Sequence, residues 1–210
     1  MNKYFVNDIG IYAEDDRFIQ EVLVKGEYKY LFDYDTVVDL GANVGTFSIY
    51  IYPYSKQIFS VEPNPEAYKL LKNTVEVNNL NKITTIECAI TGSNGERFFK
   101  DYNDEHKQYG SGVINDTEGI KVKGMAIDTF MVENKIDYID LLKVDIEGCE
   151  LEFFESKGFQ SVVNRIGTII GEYHNGGIQN RIMGLLNGAG FKFNDITKGN
   201  SSGKFIARRL

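Results

Sequence analysis

The sequence is poor in cysteine and proline, two residues that impose covalent or backbone constraints. Its two cysteines, Cys88 and Cys149, lie far apart and without a C-x-x-C spacing. This pattern argues against a disulfide scaffold, a zinc knuckle and a dithiol redox motif. We expect both to be small buried apolar side chains. All three prolines fall between positions 53 and 65, so nothing elsewhere forces a helix or strand to end.

Long apolar runs and excess basic charge are also missing. No stretch approaches the ~18 uninterrupted apolar residues of a membrane span, and the first eight residues lack an apolar signal core. We therefore predict a cytoplasmic protein without a membrane partner. Lys and Arg number 23 against 30 Asp and Glu, which gives a formal charge of −7. Because binding to phosphate backbones relies on basic charge, no nucleic-acid partner is expected.

The remaining composition is that of an ordinary globular protein, with 42% hydrophobic and 25% charged residues in a chain of 210. This length supports one full α/β domain with a short extension. Residues 1–34 are rich in Tyr and Phe, and 15–23 have the spacing of a short amphipathic helix. We predict that 1–34 form an N-terminal cap or lid that helps to form the acceptor pocket, and that 35–210 form the main domain.

Short β-branched runs alternate with helical patterns from Thr36 onward. The predicted strands are 36–40, 57–61, 83–90, 139–144 and 166–173, with further extended pieces at 96–100 and 120–127 joined by a long loop. The predicted helices are 46–54, a helix that begins at Pro65 with Asn64 as its N-cap, a short helix after Gly148 that ends at Gly158, and 179–186. An antiparallel hairpin follows, with strands around 191–193 and 205–207. Such alternation implies a mostly parallel sheet covered on both faces.

Ligands of such sheets bind beyond the carboxyl ends of the strands, at the switch in strand order. The first of these ends, residues 39–45 (DLGANVG), has a G-x-x-x-G spacing preceded by an acid, whereas a dinucleotide site has G-x-G-x-x-G. Asp39 would repel a pyrophosphate but would suit a ligand that carries an ammonium group beside its carboxylate. S-adenosylmethionine is such a ligand, and the N–H groups of the turn would hold its carboxylate. Glu62, about twenty residues beyond Gly41, could accept bonds from both ribose hydroxyls. Alternatively, Asp39 is a strand-end cap and Glu62 a solvated loop acid.

Three segments resemble the FkbM family of S-adenosylmethionine-dependent methyltransferases. They are 37–45 (VVDLGANVG), 61–65 (VEPNP) and 142–150 (LKVDIEGCE), of which the last is the most specific. Residues 126–130 (AIDTF) are similar to the family's T-L-D-x-hydrophobe segment, and the resemblance spans roughly 36–174. It implies a Rossmann-like class I methyltransferase fold, with a mostly parallel seven-stranded sheet, helices on both faces and a C-terminal antiparallel hairpin.

The resemblance also implies a set of cofactor-binding residues for S-adenosyl-L-methionine. Asp39, Gly41, Asn43 and Gly45 would hold the methionine end and Glu62 the ribose, while Asn64 and the Cys88-Ala89 pair would lie near adenine. Neighbouring positions complete the predicted set, which is Asp39, Gly41, Ala42, Asn43, Gly45, Thr46, Glu62, Pro63, Asn64, Cys88, Ala89 and Asp145.

Transfer of a methyl group to an alcohol also needs an acceptor for the hydroxyl proton. The candidates at the ends of the fourth and fifth strands are Asp145, Glu147, Glu172 and His174. Alternatively, Asp145 and Glu147 cap the following helix and Glu172 is a paired structural acid. The four side chains could instead converge on a divalent metal, but they lack a dedicated ligand spacing, so no metal is predicted.

The favoured function is O-methylation of a hydroxyl on a small molecule or glycan, because members of the resembled family commonly do this. The alternatives are an RNA or protein methyltransferase, and a catalytically silent nucleoside-binding module.

Overall fold

The computed structural model describes residues 2–6, 9–13, 33–101, 112–115, 117–198 and 202–210. The strands are β1 (Asn2–Val6), β2 (Ile9–Ala13), β3 (Tyr34–Leu40), β4 (Ser55–Val61), β5 (Ile83–Ile86), β6 (Ala89–Ile90), β7 (Gly95–Asp101), β8 (Gly112–Asn115), β9 (Ile120–Met125), β10 (Ile139–Val144), β11 (Ile166–Tyr173), β12 (Phe191–Lys198) and β13 (Gly203–Arg209). The helices are α1 (Thr46–Ile51), α2 (Pro65–Val77), α3 (Ile127–Glu133), α4 (Glu150–Glu155), α5 (Lys157–Val162) and α6 (Gln179–Gly188), with 3₁₀ turns at Tyr52–Tyr54, Val163–Arg165 and Gly176–Ile178.

Seven strands form the main sheet in the order β12-β13-β11-β10-β3-β4-β5. The five strands from β11 to β5 in this order run parallel, β13 is antiparallel to β11, and β12 and β13 form the C-terminal antiparallel hairpin. This confirms the predicted fold class. The strand order reverses between β3 and β10, so a crevice opens beyond their carboxyl ends.

Both faces of the sheet are covered, as the near-continuous apolar runs of the central strands predict. Val38 and Leu142 belong to one buried cluster, which includes core residues of α3, α4, α5 and α6. Their neighbours Val37 and Leu141 belong to a second cluster with the apolar side chains of α1. Successive residues of β3 and β10 thus point into different cores, and this anchors the strand ends that carry the polar residues.

Two smaller sheets accompany the main one. The strands β6-β9-β7-β8 form a four-stranded sheet, and β1 pairs with β2 as an antiparallel hairpin. Val6 and Ile11 bury this hairpin in the second cluster, and the Asn78 Nδ2 at the end of α2 donates to Gly10 O at 2.9 Å. The described parts of the predicted 1–34 cap are this hairpin and residues 33 and 34, of which Tyr34 begins β3 of the main sheet. The predicted helix at 15–23 lies outside the described residues. The division into 1–34 and 35–210 stays a prediction.

Some predicted element boundaries were wrong. The single strand 83–90 is two strands, because the chain leaves the main sheet after Ile86 and Ala89 pairs with Gly124 of the four-stranded sheet. Ile127 starts α3 rather than ending a strand, and the loop between β7 and β9 contains β8. The α6 helix continues to Gly188.

The helix after Gly148 ends at Ser156 and not at Gly158. Ser156 has extended backbone angles, and its Oγ accepts a bond from Phe159 N at 3.1 Å as the N-cap of α5. Gly158 lies inside α5, where a Cβ would come within 2.8 Å of Asp128 Oδ1. This break lets the rings of Phe153 and Phe159 meet with centroids 5.1 Å apart, so core packing determines where the helix stops.

Candidate active site

The glycine turn after β3 lies against the residue that follows β10. Asp145 N donates to Leu40 O at 3.2 Å, and a Cβ on Gly41 would lie only 1.8 Å from Asp145 O. Gly41 also has φ +73°. Gly45 has φ +91°, and a Cβ there would lie 2.6 Å from Leu71 Cδ1. Glycine is therefore required at both positions, for backbone conformation and for close approach.

The N–H groups of the turn are bonded within the protein. Gly41 N and Ala42 N donate to Val61 O, Asn43 N to Glu62 Oε2, Val44 N to Asn43 Oδ1, and Gly45 N to Ala42 O, at 2.7–3.0 Å. To be held by these N–H groups, as the sequence predicts, a ligand carboxylate would have to displace or share one of these acceptors. At the start of α1, the buried Thr46 Oγ1 has no hydrogen-bond partner among the described residues.

Glu62 joins this turn to the end of β4. Its Oε2 accepts from Asn43 N and its Oε1 from Asn64 N, both at 2.8 Å. The residue is 3% exposed, so it is not a solvated loop acid. Burial raises the pKa of Glu62 to about 7, against the opposing effect of these two N–H donors and of the Lys143 charge. Each carboxylate oxygen keeps a lone pair that a ligand hydroxyl can use.

A buried ion pair connects Asp39 to the neighbouring strand. Asp39 is wholly buried; its Oδ2 accepts from Ser48 Oγ at 2.6 Å and its Oδ1 lies 3.2 Å from Lys143 Nζ. Lys143 Nζ also donates to Gly41 O at 3.1 Å and lies 3.4 Å from Asp145 Oδ2. Asp39 is thus enclosed beneath the turn, and Lys143 links it to both Gly41 and Asp145.

Lys143 was not predicted as a site residue, although the sequence carries a signal for it. A lysine in the middle of an otherwise apolar strand (IDLLKV) must be buried with a partner, because an unpaired buried charge is costly.

Three side chains converge beyond β10 and β11. Single ligand atoms of Asp145, Glu147 and His174 lie within 4.8 Å of one another. His174 Nε2 is 3.8 Å from Asp145 Oδ1 and 3.4 Å from Glu147 Oε2. Glu147 reaches this point from a left-handed backbone conformation, φ +50°, which is uncommon for a residue other than glycine. These side chains are 25–33% exposed, so a ligand can reach them.

Glu150, which was not predicted from the sequence, holds the other side of the imidazole. It is fully buried in the first turn of α4, and its Oε1 lies 2.8 Å from His174 Nδ1 and accepts from Gly148 N at 3.0 Å. Its Oε2 has no hydrogen-bond partner within the described part of the chain.

The environment shifts the pKa values of Glu147 and His174, two members of this cluster. Burial raises the pKa of Glu147 to about 7, although the His174 charge opposes this. Burial lowers the pKa of His174, but the hydrogen bond and charge of Glu150 outweigh it, with Asp145 and Glu147 adding to them, and raise the pKa to about 9. In the absence of another cation, the ring is therefore protonated at neutral pH.

A family model, curated proteins and solved structures are similar to this chain. The model of the methyltransferase FkbM domain matches residues 39–193. The chain belongs to the FkbM methyltransferase family. It is an S-adenosylmethionine-dependent enzyme, and its donor is S-adenosyl-L-methionine.

Relatives and solved structures are consistent with the family. A methyltransferase of Sordaria araneosa, sdnD, is 28% identical over 196 residues, which cover 77% of this chain and 74% of the relative. The hexuronic acid methyltransferase AglP of Haloferax volcanii is 26% identical over 181 residues, 83% of this chain and 70% of the relative. The fold is similar to that of a precorrin-6y C5,15-methyltransferase from Geobacter metallireducens, with a TM-score of 0.59, 15% identity and 98% of each chain covered.

The other predicted residues of this FkbM methyltransferase lie before α2, after β5 and in β11. Asn64 caps α2, as predicted, with its Oδ1 accepting from Glu66 N at 2.9 Å. Cys88 and Ala89 are buried after β5, and burial raises the pKa of the Cys88 thiol to about 12. Glu172 Oε2 lies 3.5 Å from Lys204 Nζ, and Glu172 is not one of the three convergent ligands.

None of the helices in the described ranges is long and apolar enough to cross a membrane. The cytoplasmic location stays a prediction.

Proposed function

We propose that this FkbM methyltransferase transfers the methyl group of S-adenosylmethionine to a hydroxyl of a small molecule or sugar. The observation that carries the proposal is the proximity of two features at one edge of the sheet. The Gly41 turn directly contacts Asp145, and Asp145 belongs to a group of carboxylates and an imidazole that can bind a hydroxyl. The similarity to a hexuronic acid methyltransferase supports a sugar or acidic small molecule as the acceptor.

The donor half of the site comprises the predicted cofactor-binding residues around Gly41 and Glu62. Glu62 receives the two ribose hydroxyls through its remaining lone pairs, as acids after the second strand do in nucleotide-binding sheets. Asp39 acts indirectly in this proposal, because it is enclosed. It fixes Lys143, which holds the Gly41 carbonyl, and so positions the turn beneath the methionine end.

The acceptor half of the site comprises Asp145, Glu147, Glu172 and His174. Methyl transfer is an in-line displacement: the acceptor oxygen forms a bond to the methyl carbon while the carbon–sulfur bond breaks, leaving S-adenosylhomocysteine. The chain contributes alignment and a group that takes the hydroxyl proton. The described side chains of this half are mainly acceptors of hydrogen bonds, as an alcohol substrate requires.

Product analysis tests this proposal. The full chain is incubated with S-adenosylmethionine that carries a CD₃ group and with a panel of hexuronic acids, neutral sugars, simple phenols, a peptide mixture and bulk tRNA. Mass spectrometry is expected to find the CD₃ group on an oxygen of one of the low-molecular-weight acceptors. Label found only in tRNA or peptide, or only on nitrogen or carbon, would contradict the assignment.

A further inference from the structure

The side chains at the ends of β10 and β11 have the arrangement of a cation site. We propose that Asp145, Glu147 and His174 bind one divalent cation of the Mn²⁺ or Mg²⁺ class, with Glu150 orienting the imidazole. The binding of the cation depends only on these residues, whereas its role toward the acceptor rests on the proposed function.

The two nitrogens of His174 have different surroundings. Nδ1 lies 2.8 Å from Glu150 Oε1, which is the length of a good hydrogen bond. Nε2 faces two carboxylate oxygens at 3.4 and 3.8 Å, which is too long for the charge-assisted bonds of about 2.7–2.9 Å that a proton on this nitrogen would form. When Nδ1–H donates to Glu150, Nε2 faces the two carboxylates, and a divalent cation between these three atoms would take the place of the second ring proton.

The separations agree with ligands around such an ion. Mg²⁺ holds its ligands at about 2.1 Å in octahedral geometry, so neighbouring ligand atoms are about 3 Å apart and opposite ones about 4.2 Å. The two distances from His174 Nε2, 3.4 Å to Glu147 Oε2 and 3.8 Å to Asp145 Oδ1, lie between these values. A mixed set of one imidazole and two carboxylates suits Mn²⁺, which accepts both nitrogen and oxygen ligands.

The charge around the cluster also favours a cation. Asp145, Glu147 and Glu150 bring three carboxylates to one imidazole, and the nearby Lys143 is shared between Asp39 at 3.2 Å and Asp145 at 3.4 Å. A divalent ion would offset this excess of negative charge. Glu150 adds an independent indication, since it is fully buried, it holds His174 Nδ1, and its second oxygen has no hydrogen-bond partner within the described ranges. A buried carboxylate behind a ligating histidine is the usual orienting partner at metal sites.

The position of the cation implies its role. An ion between Asp145 and His174 lies beside the Gly41 turn, so it can bind the acceptor hydroxyl and lower its pKa before methyl transfer. Because Asp145, Glu147 and His174 would then be ligands, Glu172 is the predicted catalytic group left to receive the proton. An acceptor with a second oxygen next to the hydroxyl, such as a hexuronic acid, could bind the ion through both.

Titration with Mn²⁺ tests the site directly. The full chain is stripped with a chelator and dialysed, and the loss of the free Mn²⁺ signal is followed by electron paramagnetic resonance. We expect one Mn²⁺ per chain. His174→Gln and Glu147→Gln should each weaken binding at least tenfold, and Glu150→Gln by roughly ten- to a hundredfold. Glu155→Gln is the matched control, because Glu155 is at the end of the same short helix as Glu150 and pairs with Arg181.

The outcomes separate this inference from the proposed function. Circular dichroism melting of each variant establishes that it is folded. The cation site is refuted if no single saturable Mn²⁺ site appears, if folded His174→Gln binds as well as the wild type, or if Glu155→Gln weakens binding equally. Calorimetric titration of the stripped protein with S-adenosylmethionine tests the donor site separately, because Gly41 and Glu62 follow β3 and β4 and are not among the proposed cation ligands.

Discussion

Glu62 combines two roles that depend on its ionisation. As an anion it accepts bonds from Asn43 N and Asn64 N and pairs the turn with β4, and in the proposed complex it also accepts the ribose hydroxyls. Burial nevertheless raises its pKa to about 7, with Asp39 adding to the rise and Lys143 opposing it. Donor binding and ionisation of Glu62 are therefore coupled.

This coupling predicts pH-dependent donor affinity. The ribose hydroxyls donate to the ionised form, so below about pH 7 binding must first expel a proton, and affinity should fall by up to about tenfold per pH unit. Glu62→Ala should weaken binding by about 2–4 kcal/mol at pH 8 and remove this pH dependence. Isothermal titration calorimetry measures both effects.

The control is Glu66→Ala, which changes an exposed acid in the first turn of α2 and should retain the wild-type affinity and its pH dependence. A Glu62→Ala protein with wild-type affinity would refute the ribose assignment.

Lys143 is expected to contribute to the stability of the fold, because it pairs with two acids, the buried Asp39 and the partly buried Asp145. Lys143→Met leaves Asp39 as a buried charge without its ion pair, which should lower the free energy of unfolding by about 3–5 kcal/mol. Adding Asp39→Asn removes that charge, so the double variant should lose clearly less than the sum of the two single losses. Urea unfolding of the four proteins in the cycle measures this coupling. Strict additivity would show that the 3.2 Å ion pair contributes nothing to stability.

Sequence reasoning predicted correctly which polar residues at neighbouring strand ends lie close together. Asp39, Glu62 and Asp145 each follow an apolar run directly, and the topology of parallel sheets brings such positions together. Glu150 was missed because its role depends on a contact with His174 from another element, and no local pattern encodes that distance. The bonding of Asp39 to Ser48 and Lys143 was missed for the same reason.

At the scale of secondary-structure elements, the closeness of β3 and β10 depends on Gly41. Gly41→Ala would place a Cβ 1.8 Å from Asp145 O, at φ +73°. The backbone must shift, so we expect the turn to open and S-adenosylmethionine binding to be lost together with several kcal/mol of stability. Gly184→Ala is the control, because nothing lies within 4 Å of the added Cβ in α6, and it should stabilise the protein by up to about 1 kcal/mol. Calorimetry and thermal melting of both variants test this. Undiminished donor binding in Gly41→Ala would contradict the described contact.

Element prediction succeeded where the signal is local and failed where packing decides. The Asn64 cap with Pro65 at the first helical position fixes the start of α2. The end of α4 at Ser156 depends instead on burying Phe153, Phe154 and Phe159 together, which no spacing rule contains. The β5–β6 break similarly depends on pairing with β9, far away in the sequence.

At the scale of the whole molecule, the crevice has a donor half at β3 and β4 and an acceptor half at β10 and β11. Binding and chemistry should therefore separate in variants of the acceptor half. His174→Ala and Glu172→Gln should leave the dissociation constant of S-adenosylmethionine within about tenfold, while at least one lowers the rate by ~10²–10⁴. Calorimetry and single-turnover kinetics with the acceptor identified by product analysis measure the two effects. Wild-type rates in both variants would move proton removal to Asp145 or to bulk water.

The crevice at the carboxyl ends of β3 and β4 is expected to bind S-adenosylmethionine, and the roles assigned to Glu62 and to the Gly41 turn depend on this. The most direct measurement is mass spectrometry of the small molecules released when the freshly purified full chain is denatured. We expect S-adenosylmethionine or S-adenosylhomocysteine from the wild type, and neither from Gly41→Ala. Release of a dinucleotide such as NAD in their place, or equal amounts of the donor from both proteins, would contradict the account.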